Sequence, residues 1–300
     1  MALAGGVVTA FLGASAITQI GVNASLAKQI GHYLPASAVS FLGGTVLLAV
    51  INGWMWARAS AAGSLPTKKE GRWAGFRVWE LCGGFIGTCT LVASTALSPQ
   101  LGFTLGATVS AAGSTLSSLL VDHFGLLDMP RRRISWQRLC GGLLVVVGCV
   151  GSSTAPQAAA AQASTPRGRL IVLALLYGLA RAGQPVQTCL NRRLGDRLPL
   201  RSMAACVSFF AGSLGVVSCC AVLFARRPEA WTAVLHGFRP PPGSALPPMQ
   251  WWMPLGGAFG EPLGTPLLPL PAHLRRGEKG GSASGFVALP ACQPSWCVRF

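Results

Sequence analysis

Long stretches without a charged side chain alternate with short basic clusters along this chain. A helix needs about 20 mostly apolar residues to cross a bilayer. No Lys, Arg, Asp or Glu occurs from Met1 to Ala27, Tyr33 to Ala57, Leu81 to Val121, or Leu139 to Pro166. Further runs go from Leu170 to Ala180, resuming after Arg181 to Leu190, and from Ser202 to Ala225. The run Leu81–Val121 is long enough for two spans and carries Ser98-Pro99-Gln100 near its middle, where a tight turn is expected. The pattern predicts an all-α integral membrane protein. Its seven transmembrane helices lie near 2–24, 35–57, 78–97, 102–122, 138–155, 169–190 and 202–225. The first segment lacks the basic start of a signal peptide and exceeds its usual apolar length, so it reads as an uncleaved helix.

The chain also repeats itself. Gln19-Ile20-Gly21-Val22-Asn23 returns as Gln187-Thr188-Cys189-Leu190-Asn191, an offset of 168. Without a gap, Leu26 then matches Leu194, Ala36 matches Ala204, Val39-Ser40-Phe41 matches Val207-Ser208-Phe209, and Gly44 matches Gly212. At an offset of 173, Trp79-x-x-x-Gly83-Gly84-x-x-Gly87 returns as Trp252-x-x-x-Gly256-Gly257-x-x-Gly260. Shared apolarity does not keep polar Gln and Asn in register, so duplication is expected. A first copy over 1–155 holds five helices, an odd number, so the second copy enters from the opposite side as an inverted repeat. The expected organisation is a five-helix repeat at 1–155, a loop at 156–168, a partial second repeat at 169–260 and a Pro/Gly-rich tail at 261–300.

Loop charges orient this scheme. With the N-terminus cytoplasmic, that side carries thirteen Lys/Arg, in 58–77, 131–138 and 192–201. The other side carries six, at Lys28, in 167–169 and in 226–239. After Gly260 an apolar helix should follow, but Glu261-Pro262, Pro266, Pro269 and Pro271 replace it. An eighth helix is therefore doubtful. The tail reads as disordered, or as the mark of an incomplete or mistranslated ten-helix protein.

Composition sharpens the class. Hydrophobic residues make up 51% and charged ones 11%, against about a quarter charged in soluble domains. A net charge of +16 raises nucleic acid as a partner. The basic clusters, such as Lys68-Lys69 and Arg131-Arg132-Arg133, instead fall between apolar runs, and two tyrosines supply no stacking platform. Nucleic acid is excluded. Of ten cysteines, eight lie in apolar runs and no C-x-x-C occurs, so packing explains those eight. Cys292 and Cys297 lie in the tail. No metal site, P-loop, H-E-x-x-H or dinucleotide fingerprint is present, so neither a cofactor nor an enzyme is expected.

Some polar positions stand out within the apolar runs. Gln19 and Asn23 share a helix face, and Gln187 and Asn191 repeat it. These amides either bond helices together or form a pseudo-symmetric site for a solute, facing one another across the repeat axis. Thr104, Thr108, Thr115, Ser118 and Asp122 form a stripe that ends at His123. Asp122 with His123 has the chemistry to carry a proton, or simply anchors a helix end at the membrane surface. Arg181 lies mid-helix, placed to meet an anionic solute or Asp122. Glu80 beside Trp79 reads as an interfacial belt residue. Gly83, Gly84, Gly87, Gly102, Gly106 and Gly113 read as close helix contacts.

The Gln-x-x-x-Asn-x-x-Leu opening, Val-Ser-Phe-x-x-Gly, Gly83-Gly84-x-x-Gly87 and Ser118 to Gly125 with its Asp-His-Phe-Gly resemble the YdcZ-type inner-membrane exporters. That family is grouped with the drug/metabolite transporter superfamily. The resemblance implies a five-helix unit, alone or fused in tandem, that moves small molecules. The expected function is a secondary-type exporter of a small metabolite or drug-like solute, with Gln19, Asn23, Asp122, His123, Arg181, Gln187 and Asn191 along its pathway. The alternative is a membrane scaffold or an inactive truncated product. The expected partners are the lipid bilayer and an unidentified solute, with self-association compatible. A plasma or inner membrane is the expected location, and an organelle membrane fits the same pattern.

Overall fold

The computed structural model describes residues 2–63, 76–129, 131, 134–153, 166–239 and 248–259. Among these, every regular element is a helix. We label them α1 (Ala2–Ile30), α2 (Tyr33–Ala61), α3 (Gly83–Leu101), α4 (Phe103–Phe124), α5 (Trp136–Ser153), α6 (Arg167–Arg197), α7 (Met203–Arg226) and α8 (Pro228–Phe238). A 3₁₀ turn, Val78–Cys82, leads into α3, and a second 3₁₀ segment spans Met253–Phe259. Helical segments fall within all seven expected regions. Among the described residues, five are long and apolar enough to cross a membrane: Tyr33–Ala61, Val78–Leu101, Phe103–Phe124, Arg167–Arg197 and Met203–Arg226.

The boundaries follow local chemistry. The break expected at Ser98-Pro99-Gln100 falls instead at Gly102, and Pro99 stays inside the last turn of α3. Gly102 alone joins α3 to α4, with φ 80, a conformation glycine adopts without steric cost. Gly125 ends α4 in the left-handed conformation at φ 63, which explains the glycine of the Asp-His-Phe-Gly motif as a helix stop. α6 runs seven residues beyond its expected end at 190, through Arg192, Arg193 and Arg197. α8 was not expected, being too short for a span at 11 residues. It starts with Pro228 and places Glu229 in its first turn, where the helix dipole favours an acid. The short 3₁₀ segment ends at Phe259, and the doubtful eighth helix after Gly260 lies outside the described residues. Lys68, Lys69, Arg132, Arg133, Cys292, Cys297 and the tail at 261–300 lie outside the described residues.

Packing crosses between the two halves of the chain. α2 lies along α7, while α3 lies against both α6 and α7. The Met253–Phe259 segment lies against α1 and α2. α4 packs on α6, and α5 on α4. One apolar cluster joins α2 to α7 through Phe41, Leu48, Phe209, Val216 and Cys220. Another joins α3, α4 and α6 through Leu101, Leu105, Val109 and Tyr177. Leu26, Ile30 and Ala36 form a third, with Met253 against it. Outward, Val46, Val50, Leu143, Leu144, Leu175 and Leu179 are exposed, as lipid contact requires. Trp56, Trp136 and Trp231 are exposed near helix ends, where aromatic side chains suit the membrane interface.

Several hydroxyl groups inside these helices are satisfied locally. Ser37 donates to Tyr33 O, Ser94 to Thr90 O and Ser218 to Leu214 O, each four residues back. Such bonds let small polar residues sit in a lipid-facing or buried helix at little cost.

The α1–α2 turn carries a titratable cap. His32 Nδ1 accepts the Leu34 N–H at 3.1 Å, which requires the neutral ring nitrogen. Partial burial, and then the charge of Arg227, hold the imidazole below its usual 6.5. The folded protein thus binds this proton less readily than the unfolded chain. Stability present at neutral pH is lost as pH falls through 6.5 toward the lower folded value. Thermal unfolding in detergent should show this as a small loss, under about 1 kcal/mol because the ring is mostly solvated. His32→Asn, which keeps an acceptor without titrating, should remove that part of the pH dependence.

Candidate functional site

The contacts between the halves are built on glycine. The ring of Phe209 stands 2.6 Å from where a Cβ on Gly44 would be, and the ring of Phe41 stands 2.6 Å from the same point on Gly212. The two rings meet at 5.2 Å between centroids. Beside them Thr45 Oγ1 and Ser213 Oγ lie 2.9 Å apart, a pair separated by 168 residues. The Thr45 hydroxyl donates to Phe41 O, so Ser213 is the donor between them. Backbones meet as well. A Cβ on Gly84 would strike Ser208 O, and one on Gly257 would strike Ser40 O. Thr88 Oγ1 bridges this approach, reaching Gly84 O at 3.1 Å and Gly212 O at 2.9 Å.

The expected amides sit on this framework. Asn191 Oδ1 lies 2.8 Å from the Cβ position of Gly83, and Gln187 Nε2 lies 2.6 Å from that of Gly87. Asn23 Oδ1 lies against Gly256 in the same way. These three amides thus face glycines of the other half, whereas the sequence led us to expect the amides to face one another. Asn23 is fully buried at 0% exposure, Gln187 is buried, and Gln19 and Asn191 are half-buried. Asn23 Nδ2 and Oδ1, Asn191 Oδ1, Ser40 Oγ and Ser208 Oγ are buried with no hydrogen-bond partner. Asn23 and Asn191 are repeat-matched, as are Ser40 and Ser208. Ser208 Oγ is also 3.5 Å from the Gly83 Cβ position, so hydroxyl and amide converge there. An unsatisfied buried polar atom costs about 1–3 kcal/mol, and these four residues carry that cost in both halves.

Two of the ionisable candidates, Asp122 and His123, lie at the end of α4. Asp122 is buried and pairs with Arg138 Nη1 at 3.4 Å. His123 O accepts from Arg131 Nε at 3.0 Å, and its ring packs edge-on to Phe124. The hydroxyl stripe leading to Asp122 bonds within its own helix, Thr108 to Thr104 O and Ser118 to Thr115 O. Arg181 is half-buried on α6, away from the ends of that helix.

Glu80 is the residue that sequence reasoning misjudged. It is no belt residue but fully buried, 0% exposed. Arg197 holds it through Nε at 2.9 Å and Nη2 at 3.1 Å, and Arg193 adds an ion pair at 3.5 Å. Arg193 stacks on Trp79 at 5.0 Å, and Arg197 lies 6.0 Å from the Phe76 ring. Arginine suits such a site because its planar fork grips both carboxylate oxygens while its face meets an aromatic ring. The visible signal was the extra run of arginines after Asn191, whose partner lay 117 residues away. Among the described residues no three His, Cys, Asp or Glu side chains come together to hold a metal.

Residues 4–151 match a family model described as "Putative inner membrane exporter, YdcZ". No curated protein and no solved structure matches the chain.

The close backbone contact sets a sharp expectation for Gly84. Adding a methyl there forces α3 and α7 apart, an overpacking cost of about 1–3 kcal/mol. Gly84→Ala should lower the thermal stability of detergent-purified protein by that amount. Gly53→Ala, where nothing lies within 4 Å, should leave it unchanged.

Proposed function

Because the chain belongs, through residues 4–151, to the YdcZ family of inner-membrane exporters and is a multi-pass protein of that membrane, we propose that it is a secondary-type exporter of a small metabolite or drug-like solute. Two inverted repeats build it, one at 1–155 and a partial one at 169–260, with seven transmembrane helices and a cytoplasmic N-terminus. Alternating access then amounts to rocking one half against the other around a site at their interface. The solute path runs past Gln19, Asn23, Gln187 and Asn191. Arg181, Asp122 and His123 lie further along it.

One observation carries this reading. Asn23 with Ser40, and Asn191 with Ser208, leave polar atoms unsatisfied at matched places in the two halves. A helix clamp would spend those groups on each other. A transport path instead keeps them for a passing solute, which supplies hydrogen bonds in one state of the cycle and leaves them dry in another. The matched contacts of Gly44 with Phe209 and Gly212 with Phe41 support the two-fold arrangement of the halves.

The amides should therefore be dispensable for folding and needed for transport. Asn23→Leu removes two orphaned atoms, so it should keep or raise thermal stability by about 1 kcal/mol while abolishing export. Extracellular metabolite profiles of cells overproducing the wild type, Asn23→Leu and Asn191→Leu measure export. At least one solute should rise outside wild-type cells and return to control level in both variants. Identical profiles for the three strains would refute the transporter reading.

Orientation has its own test. In a chain stripped of native cysteines, Ser64→Cys in the 58–77 loop should resist an impermeant thiol reagent in intact cells and react after permeabilisation. Labelling from outside would reverse the topology.

A further inference from the structure

The two halves match in their glycine contacts and differ in what closes each end of the bundle. At one end Glu80 sits at the start of the α3 segment, fully buried between Arg193 and Arg197 of α6. The same end has Asn52 of α2, which accepts from Ser202 Oγ at 2.6 Å beside α7. Applying the offsets of 173 and 168 places Met253, Ser25 and Gln29 at the other end, where Glu80, Arg193 and Arg197 stand in the first. Met253 packs on the apolar cluster of Leu26, Ile30 and Ala36. Gln29, a neutral side chain, donates from Nε2 to Gly237 O at 3.3 Å. Cys220 takes the place of Asn52, and Leu34 that of Ser202; both belong to the α2–α7 apolar cluster. Among the described residues, one end is fastened by charge and hydrogen bonds, the other mainly by apolar contact.

We propose that Glu80 is the latch of one face of the transporter, holding it closed through Arg193 and Arg197, while the opposite face closes by apolar packing. This rests on the inverted-repeat exporter described above. The two fastenings respond differently to opening. Opening the apolar face exposes hydrocarbon to water, at a cost that scales with area. Opening the charged face returns a carboxylate and two guanidinium groups to water, which recovers their lost hydration. The charged face is therefore held by a contact that one substitution can cancel. Without the carboxylate, Arg193 and Arg197 stand one turn apart on α6 as like charges that no longer draw α3 to that helix. Under the proposed orientation this is the cytoplasmic face, so the latch controls loading from inside.

Two matched reporters read the faces separately. Leu190 is buried with its Cβ 3.5 Å from the Cβ position of Gly83, and Val22 is buried with Cγ1 3.4 Å from that of Gly256. They are repeat counterparts, one near each end. Leu190→Cys and Val22→Cys are made separately in a cysteine-free chain, purified in detergent so that a small water-soluble thiol reagent reaches both faces. Glu80→Gln should raise the labelling rate of Leu190→Cys at least about tenfold, equivalent to about 1.4 kcal/mol. Val22→Cys should change by less than about twofold. Exchanging the charges, Glu80→Arg with Arg197→Glu, should restore slow labelling of Leu190→Cys, which guards against simple misfolding of the single variant. Unchanged labelling at Leu190→Cys, equal acceleration of both reporters, or failure of the exchange to restore it would each overturn the latch. The assay needs no solute, so a latch that responds in a chain showing no export would sink the exporter reading and leave the latch standing.

Discussion

Everything in this bundle depends on how closely backbone meets backbone across the two halves. α3 approaches α7 at Gly84 and Ser208, and the Met253–Phe259 segment approaches α2 at Gly257 and Ser40. In lipid, apolar surface gives helices no reason to prefer each other over hydrocarbon chains, so association comes from van der Waals fit and polar bonding. Glycine makes that fit possible. It also leaves notches, and Phe41 and Phe209 fill them reciprocally at Gly212 and Gly44. Where the notch is met by an amide instead, as at Gly83 and Gly256, packing brings a polar group to the seam without giving it a partner.

Polar groups in this protein fall into two populations with different physics. Most Ser and Thr hydroxyls return their hydrogen to a carbonyl of their own helix and so ask nothing of their surroundings. Charged groups sit near helix ends, where Asp122 meets Arg138 and Glu80 meets its two arginines. A small third set, the asparagines and serines on the glycine seam, belongs to neither. Their cost is borne inside the fold, which is where a membrane protein has least water to relieve it.

Much of this was legible in the sequence, for a simple reason: a bilayer imposes length and apolarity on every span, and both can be read residue by residue. The seven helices, and the glycines against which Asn23 and Asn191 rest, emerge from charge-free runs and from the repeat. Local stops were harder. Pro99 looked like the break because proline ends helices, yet in the final turn it loses little, and Gly102 with its positive φ makes the corner. Long-range charge was illegible. Nothing near Glu80 announces Arg197, and nothing near Asp122 announces Arg138, which α5 brings back alongside α4. α8 was hidden by its length of 11 residues, since no membrane rule governs a helix that need not span.

Under the proposed duplication, the meeting of Thr45 with Ser213 has a consequence for the history of the chain. In a contact where residue i meets j and j meets i, both sides descend from one surface, as they do between identical subunits of a symmetric dimer. A gene encoding two such copies on separate chains must place every substitution on both sides at once. Once the copies share one polypeptide, each side is free to vary. Glu80 opposite two arginines, with Met253 and Gln29 at the matching places, is chemistry that only the joined form can evolve, because a symmetric pair would carry the same charges at both ends.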